Sequence, residues 1–350
     1  MSQHPLAAPL FVTADEVWID GWRGASLLRV EGATLEWVGG SGAQTEAPAA
    51  HIPGTVFAGF TDSHVHLGLV DDSALVAGGL ARVVDLGFDL AEVQAARERG
   101  ESDASAVGVD FAGALITCPG GYPSDRSWAP ASWVRQVATP VESAAAIAEM
   151  AGAGASRIKI TLNSVGAPVF TDDMLAAVVA QAHAVGLPVV AHAEGDGQAA
   201  RAAAAGVDVL AHTPWTERLG DDDIALLAGS VAVTSTLDIH GYGDPTPAHD
   251  VALDNLTRFA AAGGRVLYGT DLGNGPLPLG INPREISALA AAGLGGDGLA
   301  RALVPGAASA KFVERISWIP GVAPTDPGTV ASWYSSASVL AVSALKETFQ

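Results

Sequence analysis

Thr55-Val-Phe-Ala-Gly-Phe-Thr-Asp-Ser-His-Val-His, residues 55–66, is an apolar run that ends in two histidines one residue apart. In a strand, side chains two apart share a face, so His64 and His66 can offer two imidazoles to one metal ion. The run is also the first of eight. After it come 81–87, 111–119, 156–162, 188–194, 207–213, 231–237 and 265–271, separated by Ala/Leu/Glu-rich helical stretches. Strands that alternate with helices build a parallel sheet with crossover helices. Eight such units over roughly 250 residues close a (β/α)8 barrel. The expected fold class is therefore α/β, a (β/α)8 TIM-type barrel.

The flanks read differently. Four short runs before residue 54 are separated by Gly-rich turns and predict antiparallel strands. Near the C-terminus, Thr329-Val-Ala-Ser-Trp and Ser338-Val-Leu-Ala-Val have strand character. The expected domains are 1–53 as the N-terminal part of a small β-rich unit, 54–318 as the barrel, and 319–350 as a segment returning to the small unit.

Composition narrows the partners. The 350 residues hold 38 acidic and 18 basic side chains, a formal charge of −20. Nucleic acids and anionic membranes need a basic face, so neither is expected, and a small-molecule substrate is. Association between copies is left open. The single cysteine, Cys118, excludes an internal disulfide framework and suits a reducing cytoplasm. No basic-then-apolar leader is evident in 1–10, and no apolar stretch approaches the ~18 residues of a spanning helix.

The polar residues of the eight runs fall at one place, where strand gives way to loop. His192 ends Pro-Val-Val-Ala, His212 ends Val-Asp-Val-Leu-Ala, Asp271 ends Val-Leu-Tyr-Gly-Thr, and Lys159 lies in Arg-Ile-Lys-Ile. In a barrel these ends converge on one rim, where chemistry resides. Four histidines and a carboxylate suit Zn²⁺ or a similar ion. Lys159 needs a separate account, because an ammonium group would be repelled by a divalent cation. Burial lowers a lysine pKa, and a neutral amine can take up CO₂ to become an anionic carbamate. Either Lys159 is carboxylated and the site binuclear, or the lysine points elsewhere.

This set resembles the amidohydrolase superfamily: His64-x-His66, Lys159, His192, His212 and Asp271, on strands 1, 4, 5, 6 and 8. The surrounding text is most similar to the imidazolonepropionase-related branch, with its prolidase-like and ochratoxinase-like hydrolases. It includes Ala153-Gly-Ala-Ser-Arg-Ile-Lys-Ile, Val190-Ala-His-Ala-Glu-Gly, Ala205-Gly-Val-Asp-Val-Leu-Ala-His and Tyr268-Gly-Thr-Asp. The resemblance implies two divalent metal ions, Zn²⁺ for preference, and N6-carboxylysine at Lys159. His64, His66 and Asp271 would bind the more buried ion and His192 and His212 the other, with Lys159 bridging. A metal-activated water would attack a carbonyl, and Asp271 would move the proton to the leaving group. The implied enzyme is an amidohydrolase cleaving an amide-type C–N bond (amide, lactam or carbamate). An ester or lactone hydrolase is the alternative, ahead of a mononuclear deaminase or a non-catalytic scaffold. The usual deaminase glutamate, three residues after the strand-5 histidine, is Gly195 here.

Two features depart from the pattern. Tyr122 stands where related enzymes often have a histidine, and the C-terminal segment lacks the usual Pro-Gly-x-x-Ala-Asp-Leu-Val run. Rim loops carry Tyr122, Trp128, Trp133, His240 and Tyr242, and Trp215 follows strand 6. Tyr122, Trp128, His240 and Tyr242 are the expected substrate contacts, for an apolar or aromatic neutral molecule. Arg126 and Arg284 are the rim cations that could hold a carboxylate.

Overall fold

Apolar alternation near both chain ends builds the first sheet. The computed structural model describes residues 10–40, 42–43, 50–306 and 311–349. The outlying parts of the N-terminal reading, 1–9 and 44–49, fall outside them. Strands β1 (Leu10–Trp18), β2 (Ser26–Glu31), β3 (Thr34–Gly40) and β4 (Ala50–Ala58) come from the N-terminal segment. Val12, Val17, Leu28, Leu35, Ile52 and Val56 from these strands pack with Ile316 and Leu345 in one apolar cluster.

The second set of strands runs parallel. Its members are β5 (Thr61–Val65), β6 (Arg82–Asp85), β7 (Gly108–Phe111), β8 (Leu115–Thr117), β9 (Val134–Gln136), β10 (Ile158–Asn163), β11 (Val189–Glu194), β12 (Val209–Leu210), β13 (Ala232–Thr234) and β14 (Arg265–Leu267). They pair as β5-β6-β7 and as β14-β13-β12-β11-β10-β8-β9. Gly113, in the left-handed region at φ 79°, kinks the chain between β7 and β8, so the expected strand 111–119 is broken there. The Ser63 amide donates to Tyr268 O at 2.9 Å and the His66 amide to Leu272 O at 2.8 Å, linking β5 to the segment after β14.

Each strand splits its side chains between two environments. On β10, Ile158, Ile160 and Leu162 join the apolar layer shared with the helices, while Lys159 and Thr161 alternate to the other face. That other face carries a separate small cluster: Val84, Leu86, Ala112, Val190 and Ala211.

The C-terminal strands β15 (Lys311–Val313), β16 (Arg315–Ile319) and β17 (Ser338–Ala341) complete the first sheet, in the order β15-β3-β2-β1-β4-β16-β17. The strand expected at 338–342 thus returns to the N-terminal unit. The boundaries read at 53/54 and 318/319 fall inside β4 and β16.

Two expected elements differ. The run 55–66 is two strands, because 55–58 continues β4 between β1 and β16. Thr329-Val-Ala-Ser-Trp is helical, within Pro327–Ser335. Asp326 accepts from the Gly328 amide as its N-cap, and Pro327 occupies the first turn. That start signal outweighs the β-branched composition of a short segment. No helix among the described residues is long and apolar enough to cross a membrane.

Phe57 joins the two parts of the fold. Its ring lies 4.9 Å from Phe60, 5.9 Å from Trp22 and 6.0 Å from both Trp333 and Tyr334, centroid to centroid. Phe57→Ala should destabilise by about 3–5 kcal/mol, measured by denaturant unfolding; a loss under about 1 kcal/mol would show the contacts to be replaceable.

Glu285 provides a second check. Wholly buried, it accepts from the Leu237 amide at 3.0 Å and the Asp238 amide at 2.8 Å, holding the loop after β13. Burial, opposed by these amides, pushes its carboxyl up to about 7. A raised acid favours the fold while protonated, so its contribution is complete below about pH 4.5 and is lost as pH rises through 7. The stability difference between wild type and Glu285→Gln should therefore narrow from pH 4.5 to pH 8, read as paired melting temperatures. A constant difference would remove Glu285 as its source.

Candidate metal centre

The histidines occupy the C-terminal strand ends, and backbone carbonyls fix their rings. His64 Nδ1 lies 2.8 Å from Ala211 O, and His66 Nδ1 lies 3.0 Å from Gly87 O. A carbonyl only accepts, so each Nδ1 must carry the proton. In the neutral rings both Nε2 lone pairs are then free, and they face each other at 3.4 Å.

Asp271 completes this arrangement. Its Oδ1 stands 3.2 Å from His64 Nε2 and 3.3 Å from His66 Nε2, buried and without a hydrogen bond. Three acceptors thus converge with no proton among them. A proton on His66 would relieve the repulsion of one ring. A divalent cation relieves all three groups, so the residues present fit a metal ion. One donor atom each from His64, His212 and Asp271 lies within 4.8 Å of the others.

The remaining expected ligands adjoin this trio. Ring centroids are 5.2 Å apart for His66 and His64, 4.6 Å for His64 and His212, and 4.9 Å for His212 and His192, a continuous row of four imidazoles. His212 Nδ1 meets Thr236 Oγ1 at 3.0 Å, and His192 Nε2 meets Glu194 Oε2 at 2.9 Å. Asn163 Nδ2 donates to the same Glu194 oxygen. Lys159 is buried, and its charge acts on His64, His66, His192 and His212 alike. All six expected ligand residues are therefore gathered at one place.

Burial governs the proton affinities here. It pushes His64 and His212 well below the usual imidazole value and also lowers His192, although Glu194 opposes the shift. Burial would lower His66 too, but the adjacent Asp271 and then Asp85 outweigh it, so the His66 ring is pushed up. Burial would raise Asp271, yet His64, His66 and His212 hold it well below the carboxylate range. Lys159 falls to about 7 through burial, with Asp271 and Asp85 opposing.

Several contributors were not singled out in the sequence. Asp62 accepts from the amides of His64 and Thr270, both at 3.0 Å, and from Thr270 Oγ1 at 2.6 Å. Asp85 accepts from the Leu67 amide at 2.8 Å and the Gly87 amide at 3.0 Å. Asn274 Nδ2 donates to Asp271 Oδ2 at 3.0 Å, leaving Oδ1 free. A period-two signal existed for Asp62, which shares its strand parity with His64 and His66. Asp271 itself sits at φ 58°, an uncommon conformation for a residue with a side chain.

Aromatic side chains surround the histidines. Tyr122 stacks on His192 with centroids 5.0 Å apart, and Trp128 lies 6.0 Å from His66. Trp215 stands 5.7 Å from His192, 5.3 Å from His212 and 4.9 Å from His240. His240 Nε2 is buried without a partner, and burial lowers the ring to about 4. Tyr242 is farther out, its hydroxyl donating to Asn274 O at 3.2 Å. Trp133 is instead packed under Phe88, with centroids 5.0 Å apart. Neither rim cation is free. Arg284 Nη2 pairs with buried Asp238 at 2.8 Å, and Arg126 lies beside Asp125 and 5.6 Å from the Tyr122 ring.

No family model matches the sequence, and no curated protein does. Solved structures do. A Xaa-Pro dipeptidase with bound methionine in its active site is similar at TM-score 0.77 and 18% identity, covering 96% of this chain and 99% of that one. A. niger ochratoxinase gives 0.74 and 15%, covering 96% and 94%, and phenylurea hydrolase B gives 0.73 and 17%, covering 96% of each. At such identities the fold is what is shared: the chain folds as these three proteins do.

Proposed function

We propose that the chain is a metal-dependent hydrolase that cleaves an amide-type C–N bond in a small, neutral, apolar or aromatic molecule. The observation that carries this reading is the close convergence of three metal-ligating atoms, His64 Nε2, His66 Nε2 and Asp271 Oδ1, at 3.2–3.4 Å from one another. The fold neighbours, among them the Xaa-Pro dipeptidase and phenylurea hydrolase B, support it. In this reading the parallel strands β5 to β14 close as a (β/α)8 barrel, flanked by a small β-rich unit built from β1–β4 and β15–β17. The β5 bonds to Tyr268 and Leu272 and the shared inner cluster support that closure. The single buried cysteine is the reason to place the enzyme in the cytoplasm.

His64, His66 and Asp271 would hold one divalent ion, and His192 and His212 a second, with Lys159 between them. Two Zn²⁺ ions bound there would supply Lewis acidity toward a carbonyl oxygen and toward water. The chain's own groups do the rest. Ala211 and Gly87 carbonyls hold the tautomers that turn both Nε2 atoms inward. Asn274 fixes Asp271 through Oδ2, so that Oδ1 can take a proton from water and deliver it to the leaving nitrogen. Lys159 is buried with no carboxylate partner among the described residues, a setting that favours its neutral amine. That amine is the form that becomes N6-carboxylysine.

Tyr122, Trp128, Trp215 and His240 would enclose the substrate, with Tyr242 at the outer edge. With Arg126 and Arg284 both engaged by aspartates, no rim arginine is left for a substrate carboxylate. This favours ureas, carbamates and simple amides over molecules with a free acid.

Elemental analysis should return about two metal ions per chain, and a folded, active, metal-free protein would overturn the mechanism. Lys159→Ala should abolish turnover. Asp271→Asn should lower kcat by roughly 10²–10⁴-fold with metal retained; an unchanged rate removes Asp271 from proton transfer. In a panel of aryl ureas, carbamates, amides, esters and N-acyl amino acids, the neutral C–N substrates should lead. Faster ester or lactone cleavage would reassign the bond, and a preference for free acids would overturn the substrate class.

A further inference from the structure

The opposite ends of the parallel strands hold a second concentration of charge. A cavity of about 1650 Å³ opens there, walled by Arg82, Arg157, Arg265, Arg301 and Arg315, five of the 18 basic residues of the chain. Arg82 begins β6, and Arg157 immediately precedes β10. Along β10, Arg157 precedes Lys159 by two residues, about 7 Å, so the cavity lies beneath the metal rim on the same strands.

In so acidic a chain, arginines find carboxylates readily. Among the described residues, every arginine outside the cavity except Arg23 has a carboxylate at ion-pair distance. Inside it, Arg157 and Arg265 have none. Arg157 donates from Nε only to the neighbouring Ser156 hydroxyl at 3.1 Å, and Arg265 donates to Pro305 O. Asp110 is the carboxylate whose charge reaches Arg157. Asp110 is already shared, lying 3.5 Å from Arg82. Arg315 adds a third guanidinium that repels Arg82.

A further observation marks the space as one for a ligand. Ser63, 4% exposed, lines the same cavity, and its Oγ has no hydrogen-bond partner. A buried hydroxyl without a partner costs free energy that a bound polar group recovers.

We propose that this cavity is a second ligand site, which takes a small organic oxyanion against Arg82 and Arg157 and a polar group of the same molecule at Ser63. Guanidinium groups bind carboxylate and phosphate by the same paired N–H donors, so the recognised feature is the planar or tetrahedral oxyanion itself. The site is independent of the catalytic reading, since none of its residues belongs to the metal rim.

Calorimetric titration of the intact, metal-loaded protein in chloride buffer tests this, with inorganic phosphate and succinate as separate arms. At least one should bind saturably, and sodium chloride of equal ionic strength should not. The arm that binds more tightly assigns phosphate or carboxylate as the recognised group. Arg157→Gln and Arg82→Gln should each weaken binding at least tenfold. Arg82 is half-exposed, so its variant remains informative if Arg157→Gln fails to fold. Absence of saturable binding in both arms would overturn the proposal. So would affinity unchanged in the arginine variants, the result expected if the anion binds at the metal rim.

Discussion

One buried carboxylate ties the first parallel strand to the last. Asp62 accepts from the amides of His64 and Thr270 and from the Thr270 hydroxyl, groups separated by more than 200 residues of chain. Together with the Ser63–Tyr268 and His66–Leu272 backbone bonds, this clamp fixes His64 and His66 on one segment relative to Asp271 on the other. Burial pushes the Asp62 carboxyl up to about 7 and works against the donors that hold it. The clamp therefore depends on its three bonds being made together, because a buried acceptor left unpaired costs more than one bond returns.

The electrostatics of the rim follow from that geometry. Desolvation weakens the proton affinity of His64, His192 and His212, so these rings are neutral and offer lone pairs at ordinary pH. Neutral imidazoles beside an ionised Asp271 are the state in which a cation is bound rather than a proton. The net charge of −20 has little to do with this. What matters is local: which nitrogen meets a carbonyl, and which oxygen is left over.

The eight-run alternation and the five strand-end positions were legible because each rests on short-range periodicity and on chemistry that few residues can perform. Lys159 was legible as an anomaly, a cation among metal ligands. The parts that escaped depend on tertiary pairing. Residues 55–58 and 61–65 are equally strand-like, and only the β1 and β16 neighbours assign them to different sheets. Thr329–Trp333 looked extended until Asp326 capped it. Asp85 and Thr236 act through bonds to residues distant in the chain, Leu67 and His212, and nothing in their local spacing announces a partner. Arg284 looked available from the sequence, but buried Asp238 engages it.

The first sheet has a temporal consequence. Its order, β15-β3-β2-β1-β4-β16-β17, places strands from the last eighth of the chain on both edges of strands from the first sixth. During synthesis β4 must wait with one edge unpaired while some 250 further residues leave the ribosome. Pairings this distant in sequence are slow to form, and an open edge in the meantime is a template for other chains. The N-terminal unit, although made first, is therefore among the last to be completed. An arrest near residue 310 would release a chain whose candidate metal ligands are all present but whose small sheet still exposes β4.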